Sequence, residues 1–258
     1  VDALRDIGGT VPIYPPLDAL RLAQDRLDEK QLFGELDIPL PRYHPVDSVD
    51  DLHAACETIG LPLVVKTRRL GYDGKGQFVL KHRDQVKEAW QAIGGVPLIA
   101  EQWVPFDYEV SAIGVRGVDG DIAAYCLTHN EHAGGILRVS RAPAGDERLT
   151  AKATDYLSRM LEHLDYVGVL ALELFVVGDQ LLANEFAPRV HNSGHWTIEG
   201  AKTSQFANHV LAVTGDAPAS TAAVGHAGMI NLIGTIPDAA RESGIGTLHD
   251  YGKSPRPG

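Results

Sequence analysis

Residues 167–187, VGVLALELFVV followed by GDQ and LLANEFA, constrain this chain more tightly than any other stretch. Two apolar runs flank three turn-forming residues, which is the pattern of a β-hairpin. Each run carries one acid, Glu173 and Glu185. If Gly178, Asp179 and Gln180 form a three-residue loop, Val177 faces Leu181 and Glu173 falls opposite Glu185. A two-residue turn would shift the register by one and separate the acids. A single acid in an apolar strand reads equally well as an outward-facing residue, but two around one turn ask for more. Facing carboxylates on a sheet built for burial repel unless a cation sits between them. Oxygen-only ligands suit Mg2+, with Mn2+ as an alternative, and Mg2+ keeps water and substrate phosphates in its octahedron. Asn184 and Asn192 would add neutral oxygens.

A second signal is RLGYDGKGQFV, residues 69–79, just after the apolar run LPLVVK. Lys66, Arg68, Arg69 and Lys75 gather positive charge around Gly71, Gly74 and Gly76. Backbone N–H groups there would turn inward onto phosphate oxygens. A plain hairpin with glycines for turn geometry is the alternative. The stretch matches neither the P-loop nor the dinucleotide glycine pattern. In 101–110, EQWVPFDYEV, Glu101 would accept from an adenine amino group or a ribose hydroxyl, the backbone at Trp103 and Val104 would read the adenine edge, and Glu109 would take the ribose. Each acid also reads as a surface residue. His129, His132, His191 and His195 are assigned to polar loops. Their spacing would serve zinc, but no cysteine or helical HExxH context supports it. Arg138, Arg141 and Arg189 either meet an anionic substrate or lie on the surface.

Around these motifs the spacing predicts a helix over 17–36 with Asp18 as its cap, an extended segment over 38–46, and a helix over 47–59 capped by Asp47 or Ser48. Strands are expected over 61–67, 77–81 and 97–104, with a helix over 83–93. Residues 106–115 and 121–128 alternate as antiparallel neighbours. A helix follows over 150–165, and another over 204–215 stopped by Gly215. The tail offers one strand-like piece, GMINLIG. This order is an α+β unit with hairpins.

The formal net charge of −11 argues against bulk binding of nucleic acid or anionic membrane, while a local cation cluster still admits a small anion. No apolar run approaches the ~18 residues of a membrane span. Cys56 and Cys126 lie far apart, as packing residues in a reducing, cytoplasmic compartment would.

Together, KTRRLGYDGKGQ, EQWVPFDYEVS, LTHNEHAGGILRVSRAPA, YVGVLALELFV and NEFAPRVHNSGHW resemble the N5-carboxyaminoimidazole ribonucleotide synthases, ATP-grasp enzymes of bacterial and fungal purine synthesis. The resemblance runs from near Asp25 to the end. It implies an α+β ATP-grasp fold: two α+β subdomains with antiparallel sheets and a glycine-rich lid loop, then the start of a small C-terminal domain. The corresponding divisions are 1–38 (a connecting helical segment), 39–104 (lid), 105–215 (catalytic) and 216–258 (C-terminal). It implies ATP, bicarbonate and 5-aminoimidazole ribonucleotide as substrates, carboxyphosphate as intermediate, and a homodimer. Arg26 and Lys66 match ATP contacts. Gly71, Tyr72, Asp73, Gly74, Lys75, Gly76 and Gln77 match the flap over the triphosphate, with Lys75 neutralising the transfer. Glu101, Gln102, Trp103 and Val104 match the adenine hinge, Glu109 the ribose ligand, and His132 a nucleotide contact. Glu173 and Glu185 match the metal ligands, with Asn184 beside them, and Arg189, His191 and Asn192 the group facing bicarbonate and the substrate amine. The family pattern also has a preceding nucleotide-binding-like domain and a basic segment beyond Gly258, so the sequence is expected to be the ATP-grasp body with both ends removed. On that reading, another ATP-grasp ligase or a non-catalytic ATP-binding fragment stays open.

Overall fold

The computed structural model describes residues 11–71, 76–242 and 244–252. Two helices, α1 (Leu17–Ala23) and α2 (Arg26–Glu35), open it where one was expected. The break falls at Asp25, whose side chain accepts from the Leu27 N–H and so caps α2. Asp18 lies in the first turn of α1 rather than at its cap, which is Pro16. Gly34 sits inside α2, which runs on to Glu35.

The smaller unit is an antiparallel sheet in the order β1 (Tyr43–Val46), β4 (Leu98–Gln102), β2 (Leu63–Thr67), β3 (Gln77–Leu80). Helices α3 (Val49–Thr58), capped by Ser48, and α4 (Val86–Ile93) cover one face. Val46, Leu52, Leu63, Val65, Leu80, Val86, Leu98 and Ala100 form that core. Because side chains alternate along a strand, Lys66, Ile99 and Glu101 occupy the opposite face, toward the larger unit.

The larger sheet runs β10 (Gln180–Ala187), β9 (Gly168–Val177), β5 (Tyr108–Arg116), β7 (Thr128–Ala133), β8 (Ile136–Ala142), β11 (Ala227–Ile230), with β6 (Ile122–Ala124) also on β5. Strands β7 and β8 form a hairpin where the polar sequence had suggested a loop, so His129 and His132 are strand residues. Gly134 and Gly135, with φ of +62° and +76°, make its turn, a conformation that favours glycine. Strand β11 extends this sheet from within the stretch assigned to a C-terminal domain. Helices α1 and α2, assigned as a connection, pack with α5 (Glu147–His163) on one face, where Ala19, Phe33, Leu157, Leu170 and Leu172 share a core. A helical turn α6 (Thr197–Gly200) and α7 (Gln205–Thr214) lie on the other face, where Trp196 shares a core with Ile113, Val169 and Ala171. Gly215 ends α7 in the left-handed conformation. A short α8 (Asp238–Glu242) follows β11. Among the described residues no helix is long and apolar enough to cross a membrane.

Gly114 on β5 leaves the room that Leu157 fills: a Cβ there would lie 2.8 Å from Leu157 Cδ2. Leu157→Ala should therefore cost about 2–5 kcal/mol of stability in chemical denaturation. A loss under about 1 kcal/mol would contradict close packing at this point.

Candidate active site

The two glutamates meet, by a route the spacing had seemed to rule out. The hairpin is tighter than expected: Gln180 pairs with Val177 and Leu181 with Val176, leaving Gly178 and Asp179 as the turn. That register alone would set Glu173 opposite Asn184. A β-bulge between Ala183 and Glu185 absorbs one residue, after which Glu185 pairs with Glu173.

Helix α2 grips the bulge. Arg26, Glu29 and Lys30 stand at i, i+3 and i+4, hence on one helical face. Lys30 Nζ donates to the Asn184 carbonyl. Glu29 Oε1 accepts from the Phe186 N–H at 2.7 Å, and Arg26 Nη2 lies 3.9 Å from Glu185 Oε2. Burial pushes the Glu29 carboxyl up to about 8, against the opposing pull of Lys30.

Glu173 is surrounded by like charge. Ser111 lies directly across from it on β5, and Glu109 shares the same face. His132 Nδ1 is 3.1 Å from Glu109 Oε2, a contact of charge without the alignment of a hydrogen bond. Ligand atoms of Glu109, His132 and Glu173 all fall within 4.8 Å of one another. Burial, the Glu185 charge and Glu109 together push the Glu173 carboxyl up to about 8. For His132, burial pulls the pKa down, but Glu109, Glu173 and Glu185 outweigh it and the net shift is upward. His191 Nε2 stands 3.3 Å from Glu173 Oε1. Burial and the neighbouring Arg189 hold this imidazole down at about 4, so it is neutral at pH 7. Three carboxylates on one half-buried face, short of positive charge, are a donor set that fits a hard divalent cation.

Beside them runs a buried polar ladder. Asn130 Nδ2 donates to Ser111 Oγ at 2.6 Å, Ser140 Oγ to Asn130 Oδ1 at 2.8 Å, and Trp196 Nε1 to Thr128 Oγ1 at 2.9 Å. This explains why LTHNEHAGGILRVSRAPA reads as polar although it is strand. Thr128, Asn130 and His132 face the site, while Arg141 on the other face pairs with Glu131 at the surface.

Across the cleft, Lys66 Nζ donates to Glu101 Oε2 at 3.1 Å, and Lys30 Nζ lies 3.5 Å from the same oxygen. Burial raises the Glu101 pKa, but the two lysines outweigh it and hold the carboxyl at about 2. Glu101 Oε1 is buried with no hydrogen-bond partner. An unpaired acceptor of this kind fits a ligand amino or hydroxyl group. Gln102 turns the other way, its Oε1 accepting from Arg42 N and Nε. The Trp103 N–H donates to the Pro62 carbonyl at 3.3 Å, so that expected adenine donor is committed within the hinge. Val104 follows it, and Trp103 and Phe106 leave aromatic surface exposed. Phe106 stacks on Phe175 at 4.7 Å. Phe175 shares the site face and pairs with Glu109.

The base of the glycine turn is tied to the start of α2 by Arg26 N–H to Arg68 O at 3.0 Å and Arg69 Nε to Asp25 Oδ2 at 3.0 Å. Gly76 has φ of +72°, and a Cβ there would sit 2.9 Å from Thr67 Oγ1, so glycine is required. Gly71 precedes and Gln77 opens β3 opposite Lys66, whereas Tyr72, Asp73, Gly74 and Lys75 lie outside the described residues. His191 caps the short turn Asn192–Gly194. The Gln205 carboxamide holds both sides of the His191 backbone, accepting from its N–H at 3.0 Å and donating to its carbonyl at 2.6 Å. Arg189 is exposed and donates to the Val190 carbonyl at 2.9 Å. Sequence reasoning missed Glu29, Lys30, Phe175 and Gln205. The available signal was two adjacent charges, Glu29 and Lys30, on the helix side that also carries Phe33.

Replacing Glu101 removes the counter-charge of Lys30, whose side chain is 1% exposed. Glu101→Gln should cost about 3–5 kcal/mol. Because Glu101 is an acid held below its ordinary 4.5, its stabilisation is complete above that pH and drains away as the pH falls toward 2. The variant should lose this part of the acid limb in pH-dependent denaturation, and an unchanged limb would contradict the ion-pair assignment.

A family profile described as the ATP-grasp domain matches residues 31–206. A Pseudomonas aeruginosa relative, named N5-carboxyaminoimidazole ribonucleotide synthase, is 52% identical over 246 residues, covering 95% of this chain and 68% of the relative. The crystal structure of N5-carboxyaminoimidazole ribonucleotide synthetase from Thermus thermophilus superposes with a TM-score of 0.94 at 52% identity, over 100% of this chain and 71% of that one. That of N5-carboxyaminoimidazole synthase from Aspergillus clavatus, in complex with ADP and 5-aminoimidazole ribonucleotide, gives a TM-score of 0.84 at 28% identity, over 93% of this chain and 65% of that one. The chain thus spans roughly two thirds of the length of these relatives. It belongs to the ATP-grasp superfamily and, within it, to the N5-carboxyaminoimidazole ribonucleotide synthase family.

Proposed function

We propose that this chain is an ATP-dependent ligase that carboxylates 5-aminoimidazole ribonucleotide with bicarbonate, giving N5-carboxyaminoimidazole ribonucleotide, ADP and phosphate in purine biosynthesis. The observation that carries the reading is the bulge-set pairing of Glu185 with Glu173, facing a cleft walled by Lys66 and Glu101. Family membership supplies the substrates.

ATP lies in the cleft between the two sheets. Its adenine rests against Phe175, with the amino group meeting the open Glu101 Oε1, and Glu109 takes the ribose. Lys66 and Arg26 contact the phosphates, and Lys75, in the glycine-rich stretch outside the described residues, is assigned to neutralise the transfer. Glu173 and Glu185, with Asn184 alongside, would hold magnesium, which would supply charge neutralisation to the phosphates. A bicarbonate oxygen attacks the γ-phosphorus, the bond to the β-phosphate oxygen breaks, and ADP leaves. The carboxyphosphate formed passes its carboxyl carbon to the substrate amine with loss of phosphate. Arg189 and Asn192 orient the anion, and neutral His191, fixed through its backbone by Gln205, stands beside Glu173 on the side of the substrate amine. His132 keeps Glu109 in place. The subunit is proposed to act as a homodimer in the cytoplasm, where the free thiols of Cys56 and Cys126 would persist.

Phosphate release from ATP should require both bicarbonate and 5-aminoimidazole ribonucleotide, and release indifferent to both would contradict the proposal. Glu173→Gln and Glu185→Gln should each lower magnesium-dependent turnover on the order of 10²-fold or more. Because burial beside Glu185 already holds the Glu173 carboxyl largely protonated without metal, a neutral amide at either position should leave metal-free thermal melts level or raise them. A large fall in melting temperature with unchanged turnover would reverse the assignment.

A further inference from the structure

We infer that Lys30 is a positioning residue that couples the hinge acid Glu101 to the metal carboxylate Glu185; this rests on the functional reading above. A buried lysine ordinarily needs one partner to offset the cost of leaving water. Lys30 has two, on different units: Glu101 on β4 and the carbonyl of Asn184 on β10. Its ammonium stands over the Phe33 ring, with Nζ 5.7 Å from the centroid. The Asn184 carbonyl belongs to the bulged residue, so the Lys30 donor stabilises the register that sets Glu185 against Glu173. Glu29 holds the next N–H but one, at Phe186, so the backbone on both sides of Glu185 is fixed from α2. Lys66 shares the Glu101 oxygen with Lys30. A ligand group that engages Glu101 therefore acts on a carboxylate already bonded, through one ammonium, to the metal-bearing bulge.

The consequence is a linkage between nucleotide and metal beyond their direct contact through phosphate. In the full chain, the Mg2+ concentration that half-saturates ADP binding should rise tenfold or more in Lys30→Met, with ADP affinity in EDTA within twofold of the parent. Lys30→Arg, which keeps a donor, should recover most of the shift. Leu157→Ala, a core change of comparable stability cost, should move neither value. A folded Lys30→Met with the parent metal dependence overturns the proposal, as does an equal shift in Leu157→Ala. Should Lys30→Met fail to fold, hydrogen exchange on the unaltered chain decides: ADP added in EDTA should slow the amides of 184–186 together with those of 98–102, and protection of the hinge alone overturns the coupling. Absence of any Mg2+ effect on ADP binding by the parent chain would instead refute the metal pair, and with it the functional reading itself.

Discussion

One face of one helix holds the site together. Arg26, Glu29 and Lys30 project from α2 onto three consecutive residues of β10, and the backbone between them is bulged. A bulge leaves a ladder position unpaired and bends its strand, so it persists where something else satisfies its polar groups. Here the helix does so, at the expense of burying a carboxylate and an ammonium. That expense is met by pairing: Lys30 shares Glu101 with Lys66, and Glu29 receives a backbone N–H. The same contacts tie the smaller sheet to the larger, so the cleft between them is set by the residues that fix Glu185 opposite Glu173.

The charge pattern divides the cleft in two. Around Glu101 cations outnumber the acid, and its carboxyl is held far below its ordinary range. Around Glu173 acids outnumber cations, and its carboxyl is held far above. A magnesium-bound polyphosphate has both halves of the complementary pattern, anionic oxygens for Lys66 and Arg26 and a cation for the glutamates. Neutral His191 completes this arrangement, since a charged imidazole would pair with Glu173 and offset the acidic surplus around it.

Much of this was legible in the sequence. Hydrophobic spacing located the helices over 49–58, 86–93 and 147–163, and Gly215 marked the end of α7. Glu109, His132, Glu173 and Glu185 come together because strands β5, β7, β9 and β10 lie side by side. What escaped had physical reasons. The hairpin of β7 and β8 is polar because one face lines the site, which erases the apolar alternation of an ordinary half-buried strand. The bulge at Asn184 is invisible to local pattern, because the helix that stabilises it lies 154 positions away in the chain. The expected pairing of Glu173 with Glu185 held for a reason the spacing did not contain: a tighter turn, compensated by one extra residue. Asp18 looked like a cap because a single long helix was expected, whereas the chain breaks at Asp25 to aim Arg26 at Glu185.

The most direct test of this account is a cocrystal with ADP and Mn2+, read by anomalous scattering. The account places the manganese peak between the carboxylates of Glu173 and Glu185, with the adenine on Phe175 and its amino group at Glu101 Oε1. A peak bonded to Glu109 and His132 without Glu185, or a Glu185 carboxylate turned away while the Asn184 bulge stays intact, would contradict it.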